Sequence, residues 1–248
     1  MQVDANHRFS RGISLRGVYT WSKALDDGDS VNGTTSANAP ALVSNPYDIR
    51  ADWGPATFDV RHAAAISAVY DLPFGRGRHF ANHLAGISDT LVSGWSTTSI
   101  LILQSGFPFT PQLSYNPSNN GDTRNPVRPF VNPNFTGPII TGNPNRWFNP
   151  EAFLPPPPNS GFYGDLGRNT LTGPGLATWD FSAIKDTKLA ERVKLQFRAE
   201  IFNLLNRTNF NTPSLITFTP NGVSGTAGAI TSTSTTARQV QFGLKLLW

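Results

Sequence analysis

Residues 193–201, Val-Lys-Leu-Gln-Phe-Arg-Ala-Glu-Ile, alternate strictly between apolar and polar side chains. Because successive side chains of a β-strand point to opposite faces of a sheet, this stretch predicts a strand with one apolar and one polar face. Residues 8–22 and 239–248 largely follow the same pattern, with Leu247 as an exception on the polar face of the last stretch. The sequence therefore predicts an all-β fold of amphipathic strands.

Three weaker patterns complete a set of six predicted strands. The six lie near residues 8–22, 58–72, 92–105, 177–189, 193–204 and 237–248. Long connections alternate with short ones, so in an antiparallel sheet all the long connections share one end. The largest connection, 107–175, is rich in Pro and Asn but also in aromatic residues, which predicts an ordered surface loop. A break in the alternation at Ile184–Lys185 predicts a β-bulge.

The composition differs from that of an ordinary soluble domain. Only 38% of the residues are hydrophobic and 15% are charged, whereas an ordinary soluble domain has roughly 45–50% and about 25%. No conventional hydrophobic core is therefore expected. The net charge of +4 is spread along the chain, so nucleic acid is not an expected partner.

The cysteine content and the length of the apolar runs exclude several kinds of site and structure. The chain has no cysteine, which excludes a disulfide framework, a Cys-based zinc site and a cysteine nucleophile. No apolar run approaches the roughly 20 residues that a membrane-spanning helix needs. The N-terminal residues lack the apolar core of a secretory signal peptide.

Six amphipathic strands fit two architectures. In a β-sandwich the apolar face packs against a second sheet, whereas in an outer-membrane barrel it meets lipid and the polar face lines the lumen. If the C-terminus is periplasmic, aromatic residues gather at both ends of the strands, as barrel girdles do, and the three long loops are extracellular. The predicted membrane-interface aromatics are Phe9, Tyr70, Trp95 and Trp248 at one end, and Tyr19, Trp21, Phe58 and Trp179 at the other. Part of a transmembrane β-barrel is therefore the favoured fold.

Several blocks of the sequence carry a resemblance to a known family. They are residues 19–27, 59–62, 72–77, 94–96, 104–110 and 191–210. Together they resemble the C-terminal part of TonB-dependent transporters of the Oar-like group. The last eight residues resemble the recognition signal of outer-membrane barrels, carried by Gln241, Gly243, Leu246 and Trp248. The resemblance implies a protein of the Gram-negative outer membrane that takes up an unidentified substrate by energy-coupled transport.

Members of that group also carry a signal peptide, often a carboxypeptidase-regulatory-like domain, a TonB-contacting segment, a plug and earlier barrel strands. None of these is recognised in this sequence. Since single-chain bacterial barrels begin at about 8 strands and plugged transporters have about 22, six strands are expected to be the last part of a truncated or partial reading frame. The implied partners are outer-membrane lipid, the barrel-assembly machinery, the upstream plug and remaining strands, and a TonB-type energy-transducing complex reached through the missing part.

Charged residues on the polar strand face would line the lumen of such a barrel. They are Arg16, Arg61, Lys194, Arg198, Glu200, Arg238 and Lys245, and we expect them to pair with one another or with a plug, or to form a path for anions. Aromatic residues of the long loop are expected either to contact a sugar or peptide or to pack the loop against itself. These candidate loop contacts are Trp147, Phe148, Phe153, Phe162 and Tyr163.

Metal binding and catalysis are weakly indicated. Asp26, Asp27 and Asp29 offer oxygen ligands for calcium, but the glutamate at the twelfth EF-hand position is missing. His79 and His83 stand four apart without a third ligand nearby. No nucleophile elbow, phosphate loop or dinucleotide fingerprint occurs, so neither an enzymatic activity nor a cofactor is expected.

Two other interpretations stay open at this point. A surface-exposed β-sandwich adhesin or glycan-binding protein would use the loop 107–175 as its binding surface. A secreted glycan-cleaving enzyme is less favoured, because no paired carboxylates stand out. The sequence does not choose between transport, adhesion and secretion, and it does not identify a substrate.

Overall fold

A computed structural model describes residues 1–9, 12–28, 44–45, 47–121 and 127–248 of the chain. Seven antiparallel strands form one sheet, in which each strand pairs with the long strands before and after it along the chain. The strands are β1 (Gln2–Phe9), β2 (Ile13–Trp21), β3 (His62–Asp71), β4 (Trp95–Gln104), β5 (Leu176–Ala190), β6 (Val193–Phe202) and β7 (Gln239–Leu247). The sheet is open, with β1 and β7 at its edges. The predicted all-β antiparallel fold is confirmed.

The first predicted strand, 8–22, is wrong, because it consists of parts of two strands. β1 pairs with β2 from Gln2 opposite Thr20 to Phe9 opposite Ile13. Gly12, before β2, has a φ of +79°, a left-handed conformation that glycine adopts without a clash at Cβ. Directly paired residues point to the same face, and Phe9 and Ile13 are both odd-numbered. Apolar residues therefore stay at odd positions on both sides of the turn, so the sequence pattern does not reveal that a turn is present.

The other predicted strands are observed with shifted ends. β3 begins at His62 rather than near 58, because a turn precedes it in which the Asp59 N–H donates to the Ala56 carbonyl. β4 begins at Trp95 rather than near 92, because helix α1 (Ile87–Val92) precedes it. β6 and β7 are each shorter than predicted by two or three residues.

The predicted bulge at Ile184–Lys185 is also wrong. Both neighbours of β5 pair with these two residues in unbroken register, and the register shift lies between Lys188 and Ala190 instead. Ile184 therefore lies on the polar face and Lys185 on the apolar face. The irregularity in the pattern is a charged residue on the apolar face, not a change in the backbone.

The connections alternate in length as predicted. At one end of the sheet, the short-turn end, lie the β1–β2 turn, residues 72–94 and residues 191–192. At the other end, the loop end, lie the three long connections, 22–61, 105–175 and 203–238.

The described parts of the three long connections fold together into a unit that we call the cap. Its short strands are Leu25–Asp26, Gly54–Pro55, Pro108–Phe109, Gln112–Leu113, Phe130–Val131, Ile140–Asn143, Arg146–Phe148, Phe153–Leu154, Leu171–Thr172, Ile216–Thr219 and Gly222–Val223, with 3₁₀ turns at Ile49–Asp52 and Pro150–Ala152. Its core is formed by Phe109, Leu113, Val127, Phe148, Ala152, Phe153, Leu166, Leu171, Leu215 and Phe218. The expectation that the chain has no conventional core is therefore wrong for the cap. Within the described residues, no helix is both long enough and apolar enough to cross a membrane.

Candidate functional site

The apolar face of the sheet is left uncovered by the described part of the chain. Phe242 and Leu244 of β7 are 69% and 70% exposed, and Ile66 in the middle of β3 is 41% exposed. The buried apolar cluster contains no residue of the seven long strands. A soluble β-sandwich would bury this face against a second sheet, so the β-sandwich alternative is wrong. An apolar face of this kind is suited to contact with lipid.

Four of the predicted interface aromatics lie at the short-turn end of this face. Phe9 and Tyr70 share one row of paired residues, because both pair with Ile13. Trp95 begins β4 at the same end, and Trp248 follows the last residue of β7 and is 90% exposed. These four aromatic residues therefore lie together at the short-turn end of the sheet.

The loop end carries the second aromatic group. Trp21 pairs with His62, and the Tyr19 hydroxyl lies 2.7 Å from the His62 Nδ1. Trp179 lies near the start of β5, where its indole N–H donates to the Ser99 hydroxyl at 2.7 Å. Phe58 is the exception, because it precedes β3 and lies in no strand.

The residues of the predicted assembly signal lie on or beside the edge strand β7. Gln241 and Gly243 lie on the polar face, opposite charged residues of β6. Leu246 lies on the apolar face and is 49% exposed, and Trp248 is freely exposed beyond the strand. The apolar residue and the terminal aromatic thus stand on the side that meets lipid.

Charged side chains of the polar face pair in short networks. An Arg16 Nη2–Asp4 Oδ2 distance of 2.7 Å joins β1 to β2. Gln196 donates to the Asp186 carboxylate at 2.9 Å and accepts from Arg198 at 2.7 Å. The same face also carries Lys194, Glu200 and Lys245. Arg198 Nη1 also lies 4.0 Å from Glu200 Oε1, so two of the predicted lumen-facing residues pair with each other.

Two predicted lumen-facing charges lie outside the long strands. Arg61 precedes β3 and pairs with Asp59 at 3.3 Å. Arg238 precedes β7, and its guanidinium donates to the Leu204 carbonyl at 3.4 Å. Because Arg238 lies outside β7, it is on neither face of the sheet.

The candidate aromatic contacts of the long loop divide into buried and exposed residues. Phe148 and Phe153 are only 0% and 2% exposed, with ring centroids 6.1 Å apart. Trp147 is half-buried, and its indole N–H donates to a backbone carbonyl at 3.0 Å. Phe162 is 59% exposed, and Tyr163 is half-buried. A ligand-contacting role is therefore wrong for Phe148 and Phe153, which pack the loop against itself.

The predicted calcium ligands are not gathered into a site by the described residues. The Asp26 carboxylate forms an ion pair with the Arg168 guanidinium, so its charge already has a partner. Asp27 lines an open cavity beside Trp53, and Asp29 lies outside the described residues. In the described ranges, no group of three or more acidic or histidine side chains is arranged to hold a metal ion.

A buried ionic network in the cap was not predicted from the sequence. Arg128 Nη1 lies 3.1 Å from Asp52 Oδ1, an ionic contact rather than an aligned hydrogen bond, and its Nη2 donates to Ser44 Oγ at 3.2 Å. Arg168 donates to the Asp52 carbonyl at 2.7 Å and pairs with Asp26. Burial lowers the pKa of both guanidinium groups, and Asp52 opposes that shift for Arg128. Arginine nevertheless stays charged at neutral pH, so the network binds the first long connection to the largest one.

Asparagines of the block 191–210 hold the last long connection to the sheet. The Asn209 side chain is fully buried; it accepts from the Ala177 N–H at 2.9 Å and donates to the Ala177 carbonyl at 3.1 Å. It thereby continues the ladder of β5 as a strand residue would. Asn203 donates to the Thr236 carbonyl at 3.1 Å. Nothing in the local spacing of these asparagines indicated which groups they would bind.

Replacing Asn209 with alanine is expected to open the last long connection. The change leaves two part-buried backbone groups of Ala177 without these hydrogen bonds, which costs about 1–3 kcal/mol and raises the open population roughly 5- to 150-fold. Protease cleavage within residues 203–238, measured on the protein in detergent, should accelerate by that factor. Asn211→Ala, at an exposed position, is the matched control, and equal cleavage rates for the two variants would contradict the assignment.

The geometry defines one wall of a membrane β-barrel, with an uncovered apolar face, a polar face and a folded cap of long loops. Residues 1–241 match the family model described as "Outer membrane beta barrel domain". The chain therefore belongs to the outer-membrane β-barrel domain family and is located in the outer membrane, with β1–β7 as transmembrane strands. No curated protein and no solved structure gives a significant match to the chain.

Proposed function

We propose that the chain is a non-catalytic part of the barrel of a TonB-dependent transporter of the Oar-like group, which takes up an unidentified substrate. The supporting observation is the open sheet, because β1 and β7 each have one side without a partner strand among the described residues. Unpaired backbone groups are costly in lipid. Seven strands are also fewer than the roughly 8 of the smallest single-chain bacterial barrels. In this proposal, further strands close the barrel.

An apolar patch on the polar face supports a plug inside that barrel. Val69, Ile100 and Ile102 are 43%, 42% and 38% exposed, and they lie on the neighbouring strands β3 and β4 among polar residues. A water-filled lumen gives no reason for such a patch, whereas a folded plug would cover it. The paired charges of the same face, such as Arg16 with Asp4, provide polar contacts around it.

Four of the six blocks that resemble the Oar-like group, 19–27, 59–62, 104–110 and 191–210, include residues where the long connections leave the sheet. Asp59 is 6% exposed and accepts from the Ala24 N–H at 2.7 Å, which ties the two ends of the first connection together. Ser105 Oγ accepts from the His62 N–H at 3.1 Å. These four blocks therefore share a structural role, holding the cap on the barrel, and this supports the resemblance at the level of the group.

The barrel geometry also supports an orientation and a set of partners. Since outer-membrane barrels have short periplasmic turns and long extracellular loops, we infer that the short-turn end faces the periplasm and the cap faces the outside. The partners in this proposal are outer-membrane lipid, the assembly machinery acting on Gln241, Gly243, Leu246 and Trp248, a plug, the remaining strands and a TonB-type complex.

A growth experiment tests the transport proposal without knowledge of the substrate. Three strains are compared: wild type, a deletion of the full gene that contains this chain, and a deletion of the inner-membrane energy transducer. Each is grown on limiting glycans, peptides, ferric chelates or corrinoids as the sole source of the nutrient. The gene deletion should lose growth on one of these substrates, the transducer deletion should share that loss, and the reintroduced gene should restore growth.

Two results would contradict energy-coupled uptake. A growth defect of the gene deletion that the transducer deletion does not share would show that transport is passive or indirect. Normal growth on all substrates together with lost attachment to a glycan surface would favour adhesion through the cap. The exposed ring of Phe162 is the first position to replace in that case.

A further inference from the structure

Residues 72–94, which connect β3 to β4 at the short-turn end, present a cluster of exposed apolar side chains. Ile87 and Leu91 lie four residues apart on one face of α1 and are 81% and 64% exposed. Phe80 and Phe74 are 51% and 39% exposed, with ring centroids 5.7 Å apart. Apolar side chains clustered in this way on a surface mark an interaction site.

Helix α1 of this cluster is held on the lipid-facing side of the sheet. The Trp95 indole N–H donates to the Leu91 carbonyl at 3.0 Å, and the Lys185 ammonium donates to the Ser93 carbonyl at 2.6 Å. Trp95 and Lys185 are paired residues on the apolar face, and the Lys185 Nζ lies 5.4 Å from the centre of the Trp95 ring. The end of α1 is therefore continuous with the surface that meets lipid.

A basic turn packs against the same helix. The Arg76 N–H donates to the Asp89 carboxylate at 2.8 Å. Gly75 lies so close to Ser93, the residue after α1, that a Cβ added to Gly75 would lie 2.3 Å from the Ser93 Cβ. Arg76 and Arg78 are exposed, and Asp89 is the only acidic residue of 72–94. Within residues 72–94, the exposed charges beside the apolar cluster are therefore positive.

We propose that residues 72–94 form an interfacial anchor in the periplasmic leaflet of the outer membrane. Ile87, Leu91 and the phenylalanine pair enter the boundary between headgroups and acyl chains, and Arg76 and Arg78 contact anionic phospholipid headgroups. Amphipathic helices with basic flanks bind membrane surfaces in this way. The inference rests on the proposed orientation, in which the short-turn end is periplasmic.

Single labelled cysteines test the anchor in the full-length protein. The 248 residues contain no cysteine, and any cysteine elsewhere in the full-length protein is first replaced by serine. Ile87→Cys and Leu91→Cys then each carry one environment-sensitive fluorophore. The protein is inserted into vesicles of phosphatidylcholine and phosphatidylglycerol that contain lipids with a nitroxide at the headgroup or in the acyl chain. Both labels should emit at a shorter wavelength than the same fluorophore does in water. Both should also be quenched more strongly by the headgroup nitroxide than by the acyl-chain nitroxide.

Two control positions separate failure of the anchor from failure of the proposed barrel. Leu244→Cys on the lipid face should be quenched by the acyl-chain nitroxide, and Val223→Cys, 57% exposed in the cap, should not be quenched. Quenching at Leu244 without quenching at Ile87 and Leu91 would overturn the anchor and leave the barrel intact. No quenching at any position would overturn both.

The arginines are tested by the double variant Arg76→Ser/Arg78→Ser. Each basic residue near an anionic membrane contributes about fivefold to partitioning, so the double variant should weaken helix insertion roughly 25-fold in vesicles with phosphatidylglycerol and little in phosphatidylcholine alone. Insertion that depends neither on lipid charge nor on these arginines would overturn the headgroup contact.

Discussion

Phe148→Ala is expected to unfold the cap while the seven-stranded sheet stays in the membrane. Phe148 is fully buried, and its ring centroid lies 5.7 Å from that of Phe109 and 6.1 Å from that of Phe153. Removing a buried phenylalanine ring costs about 3–5 kcal/mol, because apolar burial is lost and a cavity remains. The cap core contains no residue of β1–β7, so this loss falls on the cap.

Protease added to whole cells measures the effect from the outside. An increase of about 3 kcal/mol or more in the free energy of the closed cap raises its open population by roughly two orders of magnitude, and cleavage should rise equally. Phe162→Ala is the matched control, because its ring is 59% exposed and its loss should change stability by less than about 0.5 kcal/mol. The difference in gel migration between unboiled and boiled samples should persist in both variants. Loss of that difference in Phe148→Ala alone would show that cap and wall unfold as one unit.

The strands of the wall were predictable because their two faces meet different surroundings. Alternation located the centres of β3 to β7, but it could not separate β1 from β2. With Phe9 paired to Ile13, the turn has an odd number of residues, so apolar residues stay at odd positions on both sides. Gly12, with its positive φ, was the only local sign of the turn, and one glycine in a Gly-rich chain does not stand out.

Lys185 shows a second limit of pattern analysis. A charge at an apolar position was interpreted as a bulge, because the sequence does not show that Trp95 and the Ser93 carbonyl lie beside the ammonium group. With these partners, a lysine near the membrane boundary keeps its charged end in polar surroundings while its methylenes cover apolar surface.

The cap was the least predictable part, for a physical reason. Its core joins residues as distant in sequence as Phe109, Leu171 and Leu215, and its strands are two to four residues long, too short for a period to appear. The Pro, Asn and aromatic content of residues 107–175 predicted an ordered loop. It could not predict the partners of Arg128 and Arg168, because those partners lie in a different connection. Sequence analysis therefore located the wall and the ends of its strands better than the contacts inside the cap.

Ile66→Arg is expected to impair insertion of the barrel, whereas the same change at Ser182, on the polar face, is tolerated. Ile66 lies in the middle of β3 on the apolar face, between Gly17 and Leu101. Ser182 lies in the middle of β5 on the polar face, between Thr98 and Glu200. An arginine facing lipid at the bilayer midplane costs about 2–4 kcal/mol, and a lumen-facing one meets polar surroundings.

Depth gives this comparison a further control. Leu103→Arg places the charge on the same apolar face near the loop end of β4, where the cost should fall to about 0–1 kcal/mol because the guanidinium reaches the headgroups. Urea titration of the full-length protein in phospholipid vesicles measures all three variants. The expected order of destabilisation is Ile66→Arg well above Leu103→Arg, with Ser182→Arg near wild type. Equal losses for Ile66→Arg and Leu103→Arg would mean that this face packs against protein rather than lipid, because burial in protein has no dependence on membrane depth.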